Sequence, residues 1–212
     1  MASVSGLTQE RFLKLRCSIS GRIGRRRYSH TLGVEEAIIE LGERYLPGEI
    51  PRLRVAALLH DITKEWTGEE QLAFCEKHQI PVTKEEMTVP KTLHARTAAY
   101  VAAREFSAFV DDGILTAIER HTTGARDMTV MDELLYLADY IEPTRIYPEC
   151  IALRKAFYDG YERASNKEEH LHRILLFALQ ATAKDIEARG GLVLPNTNEA
   201  ILYLSQKIEE SY

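Results

Sequence analysis

Apolar residues recur three and four positions apart over most of this chain, and strand-like alternation is hard to find. Where such runs begin, Thr, Asp or Asn stands ahead of acidic residues. That is the arrangement of a helix N-terminus, where a side-chain oxygen accepts from free backbone N–H groups. Thr67 with Glu70, Thr83 with Glu86, Thr129 with Asp132 and Asn166 with Glu169 fit the reciprocal form of this cap. Asp132 fits least well, because the motif favours the longer Glu or Gln. Pro47, Pro51, Pro81, Pro90, Pro143 and Pro148 fall between the runs, where a missing N–H does little harm. The pattern predicts helices at about 8–20, 24–45, 51–60, 69–78, 92–106, 113–121, 129–141, 149–164, 167–189 and 197–210. The expected fold is all-α, a single-domain helical bundle over residues 1–212. Gly190-Gly191 is expected to end the longest helix, whose Leu171, Ile174, Leu175, Ala178 and Leu179 share one side and suit an outer, packed element.

With 212 residues, 45% apolar and 28% charged, the chain can bury one continuous core and still enclose a polar site. Its formal charge of −5 argues against nucleic acid or an anionic membrane surface as a main partner, since both reward a basic surface. An anionic substrate must then be drawn in by local charge. Cys17, Cys75 and Cys150 lie far apart and leave one over, so neither a disulfide framework nor a thiolate zinc site is indicated. No stretch resembles a signal sequence or approaches the roughly 20 apolar residues of a membrane span, and a cytoplasmic location is expected.

The strongest candidate chemistry lies in Val55-Ala56-Ala57-Leu58-Leu59-His60-Asp61, where an apolar helix runs into two ionisable side chains. Burying those costs several kcal/mol, about, unless they are paired or bind a metal. His30 precedes Val34, Ala37, Ile38 and Leu41 on one helix face, and Asp139 follows Leu135 by one turn among apolar neighbours. His94 begins the turn leading to Ala98 and Val101, and His121 closes the helix that starts near 113. Taken singly, each histidine has an ordinary alternative as a hydrogen-bonded core group or, for His121, a cation at a helix C-terminus. Together, four histidines and two aspartates beside apolar stripes form a donor set suited to Fe, Mn, Co or Zn. His78, His170 and His172 lie on polar stretches and read as surface residues.

The order His30, His60-Asp61, His94, His121, Asp139 resembles the HD superfamily of metal-dependent phosphohydrolases, over about residues 25–145, with the helices of 149–212 following. The words His30-Thr31-Leu32-Gly33-Val34, His60-Asp61-Ile62-Thr63-Lys64, His121-Thr122-Thr123-Gly124 and Tyr136-Leu137-Ala138-Asp139-Tyr140-Ile141-Glu142-Pro143-Thr144-Arg145 are similar to those of its YqeK-type branch. Thr63 departs from the Ala more usual there. The resemblance implies symmetrical cleavage of diadenosine tetraphosphate to two ADP and a pair of metal ions, iron by family habit. It also implies that His30, His60, Asp61 and Asp139 hold one ion, while Asp61 bridges to a second on His94 and His121.

Two metals would neutralise phosphate oxygens, orient the anhydride and acidify a bridging water, making hydroxide available near neutral pH. Asp61 and Lys64 are the expected catalytic groups, with Lys64, His94, Thr122, Thr123, Gly124 and Arg145 near the substrate. Lys64 reaches the metal side if the helix continues past His60, and is otherwise a surface lysine. Arg145 suits a phosphate, or a surface salt bridge. Thr122, Thr123 and Gly124 offer hydroxyls and N–H groups, or ordinary turn chemistry. Arg25 to Arg27 could attract a polyphosphate, and the 190–200 segment resembles a loop that closes over base or ribose. The aromatic residues, Trp66 included, read as packing. Alternatives are an HD hydrolase of a mononucleotide or hyperphosphorylated guanosine, a nucleotide sensor without turnover, and a purely structural bundle. A homodimer is compatible with each.

Overall fold

The computed structural model describes residues 7–210. Within them lie α1 (Gln9–Ser20), α2 (Arg25–Tyr45), α3 (Ile50–Leu59), α4 (Gly68–Lys77), α5 (Lys84–Thr88), α6 (His94–Glu105), α7 (Asp112–Arg120), α8 (Val130–Ile141), α9 (Pro148–Arg163), α10 (Lys167–Ala188) and α11 (Pro195–Glu209), with 3-10 turns at Pro47–Glu49 and Pro90–Leu93. No strand occurs among the described residues, so the all-α expectation holds. None of these helices is long and apolar enough to cross a membrane.

Local chemistry accounts for the boundaries. Thr67, Thr83 and Thr129 each make both halves of the reciprocal cap. Asp132 is long enough after all, since its Oδ2 accepts from Thr129 N at 2.9 Å and also holds Arg120 of α7 at 2.9 Å. Asn166 accepts from Glu169 N, while the Glu169 carboxylate lies against Arg173. The Thr83 cap starts a five-residue helix that periodicity could not reveal, because one turn holds too few apolar positions and Pro90 follows. Gly190, at φ +71°, and the bond from Gly191 N to Ile186 O close α10 as expected.

Helix α3 is apolar on every side from Val55 to Leu59, and those five residues are completely buried. Such a helix can only be central. Helices α2, α7 and α8 pack around it, α6 lies on α7, and α10 covers α8 and α9 with α11 beside it. One buried apolar cluster runs from Phe12 on α1 to Leu204 on α11. Glu35, buried on α2, takes Arg16 of α1 at 2.8 Å and Arg54 of α3 at 3.0 Å and so ties three helices.

His172 corrects the surface reading. It is buried, because α8 and α11 cover α10 beyond its apolar stripe, and its Nε2 lies 3.4 Å from Glu133 Oε1. His78 and His170 are half-buried, paired with the Tyr100 hydroxyl and the Phe157 carbonyl.

Gly124 has φ +67°, and a Cβ there would meet Leu179 at 3.1 Å and Ala200 at 3.3 Å. A left-handed position costs an ordinary residue about 1–2 kcal/mol. Gly124→Ala is therefore expected to lower Tm by roughly 2–8 °C in a thermal melt. An unchanged Tm would show that neither the angle nor the space constrains this position.

Candidate metal centre

Five chain segments end or begin at one buried point. His60 follows the last residue of α3, with Asp61 next to it; His94 opens α6; His121 follows α7; His30 lies one turn into α2 and Asp139 in the last turn of α8. Three of the histidines are aimed by the same device. Nδ1 of His60, His94 and His121 lies 2.6, 2.7 and 2.6 Å from the carbonyls of Ala57, Lys91 and Ile118, each three residues earlier. A carbonyl only accepts, so Nδ1 carries the proton and Nε2 presents its lone pair. For His60 and His121 the same bond satisfies a carbonyl that the helix end leaves free, so terminating the helix and orienting the ring are one event.

The Nε2 atoms converge on Asp61, which is 2% exposed. Its Oδ2 lies 3.4 Å from His60 Nε2 and 3.7 Å from His30 Nε2. Its Oδ1 lies 3.3 Å from His94 Nε2 and 3.5 Å from His121 Nε2. Asp139 Oδ1 joins the first set, 2.9 Å from His30 Nε2 and 3.9 Å from His60 Nε2. Ligand atoms of His30, His60 and Asp139 lie within 4.8 Å of one another, as do those of His60, Asp61 and His121, so His60 adjoins both sets.

Three of these buried atoms, His30 Nε2, His60 Nε2 and Asp61 Oδ1, make no hydrogen bond. An orphaned buried polar group costs about 1–3 kcal/mol. Three pointing at one place, all nitrogen and oxygen donors, fit a metal ion. The protonation states agree. Burial opposes charge on Asp61, but the neighbouring positive charges, Lys64 among them, outweigh it and hold the carboxyl well below the usual range. Burial likewise opposes charge on Asp139, and Arg145 and His30 outweigh it. Burial, reinforced by the Lys64 ammonium, pushes His94 down to about 4, and burial lowers His121. Ionised carboxylates and neutral imidazoles are the forms that bind metal. His30 differs: burial opposes its charge, but Asp139 and Glu142 push it up to about 9.

Cations ring the centre. Helix α3 does not continue to Lys64; the chain turns, with Lys64 N donating to Asp61 O, and this turn still brings Lys64 Nζ to 2.9 Å from His94 Nε2 and 3.9 Å from Asp61 Oδ1. Arg145 is no surface bridge, since its Nη2 donates to Asp139 Oδ1 at 2.6 Å. Arg27 donates to Asp61 Oδ2 at 2.7 Å. It therefore stands in the centre itself, and its place one turn before His30 on the same helix face was the available signal. Thr122 Oγ1 sits 2.9 Å from His94 Nε2 and 3.1 Å from His121 Nε2. Thr123 and Gly124 turn elsewhere: the Thr123 hydroxyl bonds Gly124 O, its carbonyl accepts from Thr197, and Gly124 is buried against α10 and α11. The 190–200 segment is correspondingly no free loop, because α11 already begins at Pro195 and packs on this turn.

A groove of about 950 Å³ opens from the centre, with Lys64, His121, Thr122, Asp139 and Arg145 at one end. Its wall is a stripe of α10, Phe177, Ala181, Lys184 and Ala188, faced by Tyr140 and Tyr147. Phe177 and Tyr147 are half exposed there, which the reading of aromatics as packing missed.

The HD domain family matches residues 27–144. The chain belongs to the HD-domain family. Relatives named symmetrical bis(5′-nucleosyl)-tetraphosphatase are similar to it over most of their length. The Bacillus subtilis protein is 32% identical over 81% of this chain and 85% of its own, and the Staphylococcus aureus protein 30% identical over 78% and 82%. A Clostridium acetobutylicum HD superfamily hydrolase assigned to NAD metabolism has a solved structure that superposes with a TM-score of 0.82. It is 30% identical, and the match covers 92% of this chain and 97% of that one. As an HD hydrolase, the chain falls among metal-dependent hydrolases.

If Asp61 faces both sets of donors in the loaded HD site, Asp61→Ala should abolish metal uptake, whereas His94→Ala or His121→Ala should remove only part of it. Elemental analysis after loading with Mn2+ or Co2+ checks this. Wild-type metal content in Asp61→Ala would remove Asp61 from the centre.

Proposed function

We propose that this chain hydrolyses dinucleoside polyphosphates, splitting diadenosine tetraphosphate at its central anhydride into two ADP. The observation that carries the reading is the junction of a two-sided donor set with a groove lined by cations and aromatic rings. The names of the relatives that span four fifths of the chain support the same substrate class.

In this reading His30, His60, Asp61 and Asp139 hold one metal ion, and Asp61 with His94 and His121 holds a second. Iron is the ion implied by resemblance, and Mn, Co and Zn also suit these donors. Bound there, two such ions supply charge neutralisation at phosphate and an acidified water as nucleophile. The chain's own residues do the rest. Lys64, one third exposed beside His94, presents an ammonium to the anhydride. Arg145 and Arg27, on the Asp139 and Asp61 Oδ2 sides, offer guanidinium groups to the flanking phosphates. Thr122 adds a hydroxyl. One nucleoside half lies along the groove, where Lys184 stands beside Glu149 and an Arg189–Asp185 pair and Tyr147 and Phe177 offer ring faces to a base. The local charge of Lys64, Arg145 and Arg27 admits a polyanion to a chain of net charge −5.

A second reading is favoured by the neighbour assigned to NAD metabolism, in which the substrate is another nucleotide with a diphosphate bridge. Chromatography separates the two. Incubation with diadenosine tetraphosphate should yield ADP as the sole nucleotide product. ATP with AMP would mean an off-centre cut, and cleavage of NAD with none of the tetraphosphate would overturn the proposal.

Lys64→Ala and Arg145→Ala should keep their metal and lose about ten- to a hundred-fold in kcat/KM, the equivalent of roughly 1.5–3 kcal/mol of charge-assisted contact. Lys64, nearest the reacting bond, should lower kcat, and Arg145 should mainly raise KM. Wild-type kinetics in both variants would return these cations to a purely structural role.

A further inference from the structure

Of the four histidines at the centre, His30 is held differently. Its Nδ1 faces no backbone carbonyl but the side chain of Glu142, at 3.1 Å from Oε1. Glu142 lies directly after α8, 112 residues along the chain, and is 1% exposed. Its other contacts leave it no freedom. Thr144 N donates to Oε2 at 2.6 Å and Thr144 Oγ1 donates to Oε1 at 2.7 Å. Arg154 of α9 donates to the carbonyls of Ile141, Glu142 and Arg145, satisfying the end of α8 and fixing the loop that carries this carboxylate. The space for it is made on α2 by Gly33, one turn after His30, where any Cβ would press into Glu142 Oε2.

We propose that Glu142, admitted by Gly33 and clamped by Thr144, is the positioning residue for His30, accepting its Nδ1 proton so that Nε2 is presented to the metal centre. The sequence words around His30 and around Asp139 are thereby two halves of one device: Gly33 belongs to the first, and Glu142 and Thr144 to the second. A carboxylate behind a ligating imidazole fixes the ring and makes it a stronger donor, and removing such a partner typically costs about ten- to a hundred-fold in metal affinity. His30 needs this more than the other three. It lies inside α2, where its own helix consumes the nearby carbonyls, whereas His60, His94 and His121 stand at helix ends.

The proposal rests on His30 as a ligand, and His30→Ala tests that separately: unchanged metal affinity would refute the ligand reading itself. Glu142→Gln tests the positioning. It keeps size and burial but holds only one acceptor oxygen, and the site has donors at both positions, so in either amide orientation N–H meets N–H. Gly33→Ala is the complementary variant, displacing the carboxylate without altering it. Titration of metal-free protein with Co2+, followed by absorption, should show wild-type uptake weakened about ten- to a hundred-fold for part of the bound metal in both variants. Uptake that depends on His94 and His121 should stay. In the Zn2+-loaded protein, the 15N spectrum should show the Nδ1–H form of His30 in the wild type and its loss in Glu142→Gln. A residue that merely fills space would be replaced by Gln without effect. Wild-type Co2+ affinity in Glu142→Gln with His30 still in the Nδ1–H form would overturn the proposal, as would equal weakening of all bound metal.

Discussion

A carboxylate almost wholly removed from water, with donors gathered on both of its oxygens, is the constraint from which the rest of this structure follows. An isolated buried charge of this kind would take up a proton rather than persist. Asp61 stays ionised because the cations Lys64 and Arg27 stand beside it. Assembling those groups at one point requires five helical segments to meet there by their ends or last turns. A helix end is where backbone carbonyls lack partners, so it can also grip an imidazole by Nδ1, as at Ala57 and Ile118. The bundle architecture and the ligand geometry are therefore one solution. The all-round apolar α3 carries Asp61 to the centre because nothing else could bury that helix.

Around this point the cations are distributed rather than pooled. Arg27, Lys64 and Arg145 each lean on a different carboxylate oxygen, which tempers the burial of each charge and leaves three positive groups around a small space. The groove leads from those cations along α10, where charges of both signs alternate, and adds aromatic faces. A polyphosphate with nucleosides at its ends matches both features, and a structural bundle has no need of either.

Much of this was legible beforehand because it rests on periodicity. Asp139 one turn after Leu135, and His30 ahead of Val34, Ala37 and Ile38, reveal their inward direction by spacing alone. The Thr caps were legible because they are local. What escaped notice depends on partners far along the chain. His172 looks exposed on α10 until α8 and α11 are seen to cover it. Thr123 and Gly124 look like phosphate-binding turn residues until α11 is found against them. Glu142 looks like a helix-ending residue before proline, and only its approach to Gly33 and His30 gives it a role. Lys64 reached the expected place by an unexpected route, through a turn rather than a continued helix. A turn and a helix deliver a side chain to the same side when the next residues fold back at once.

The central claim is that Asp61 divides its neighbours into two metal-binding sets. Diffraction from crystals grown with metal and ADP, recorded on both sides of the metal's absorption edge, tests it most directly. The account predicts two anomalous peaks flanking Asp61, about 3.5–4 Å apart as in paired-metal hydrolases. One should lie against His30, His60 and Asp139, the other against His94 and His121, with the ADP phosphates between them and Lys64. A single peak on the His30 side, with His94 and His121 bonded to protein groups instead, would contradict it.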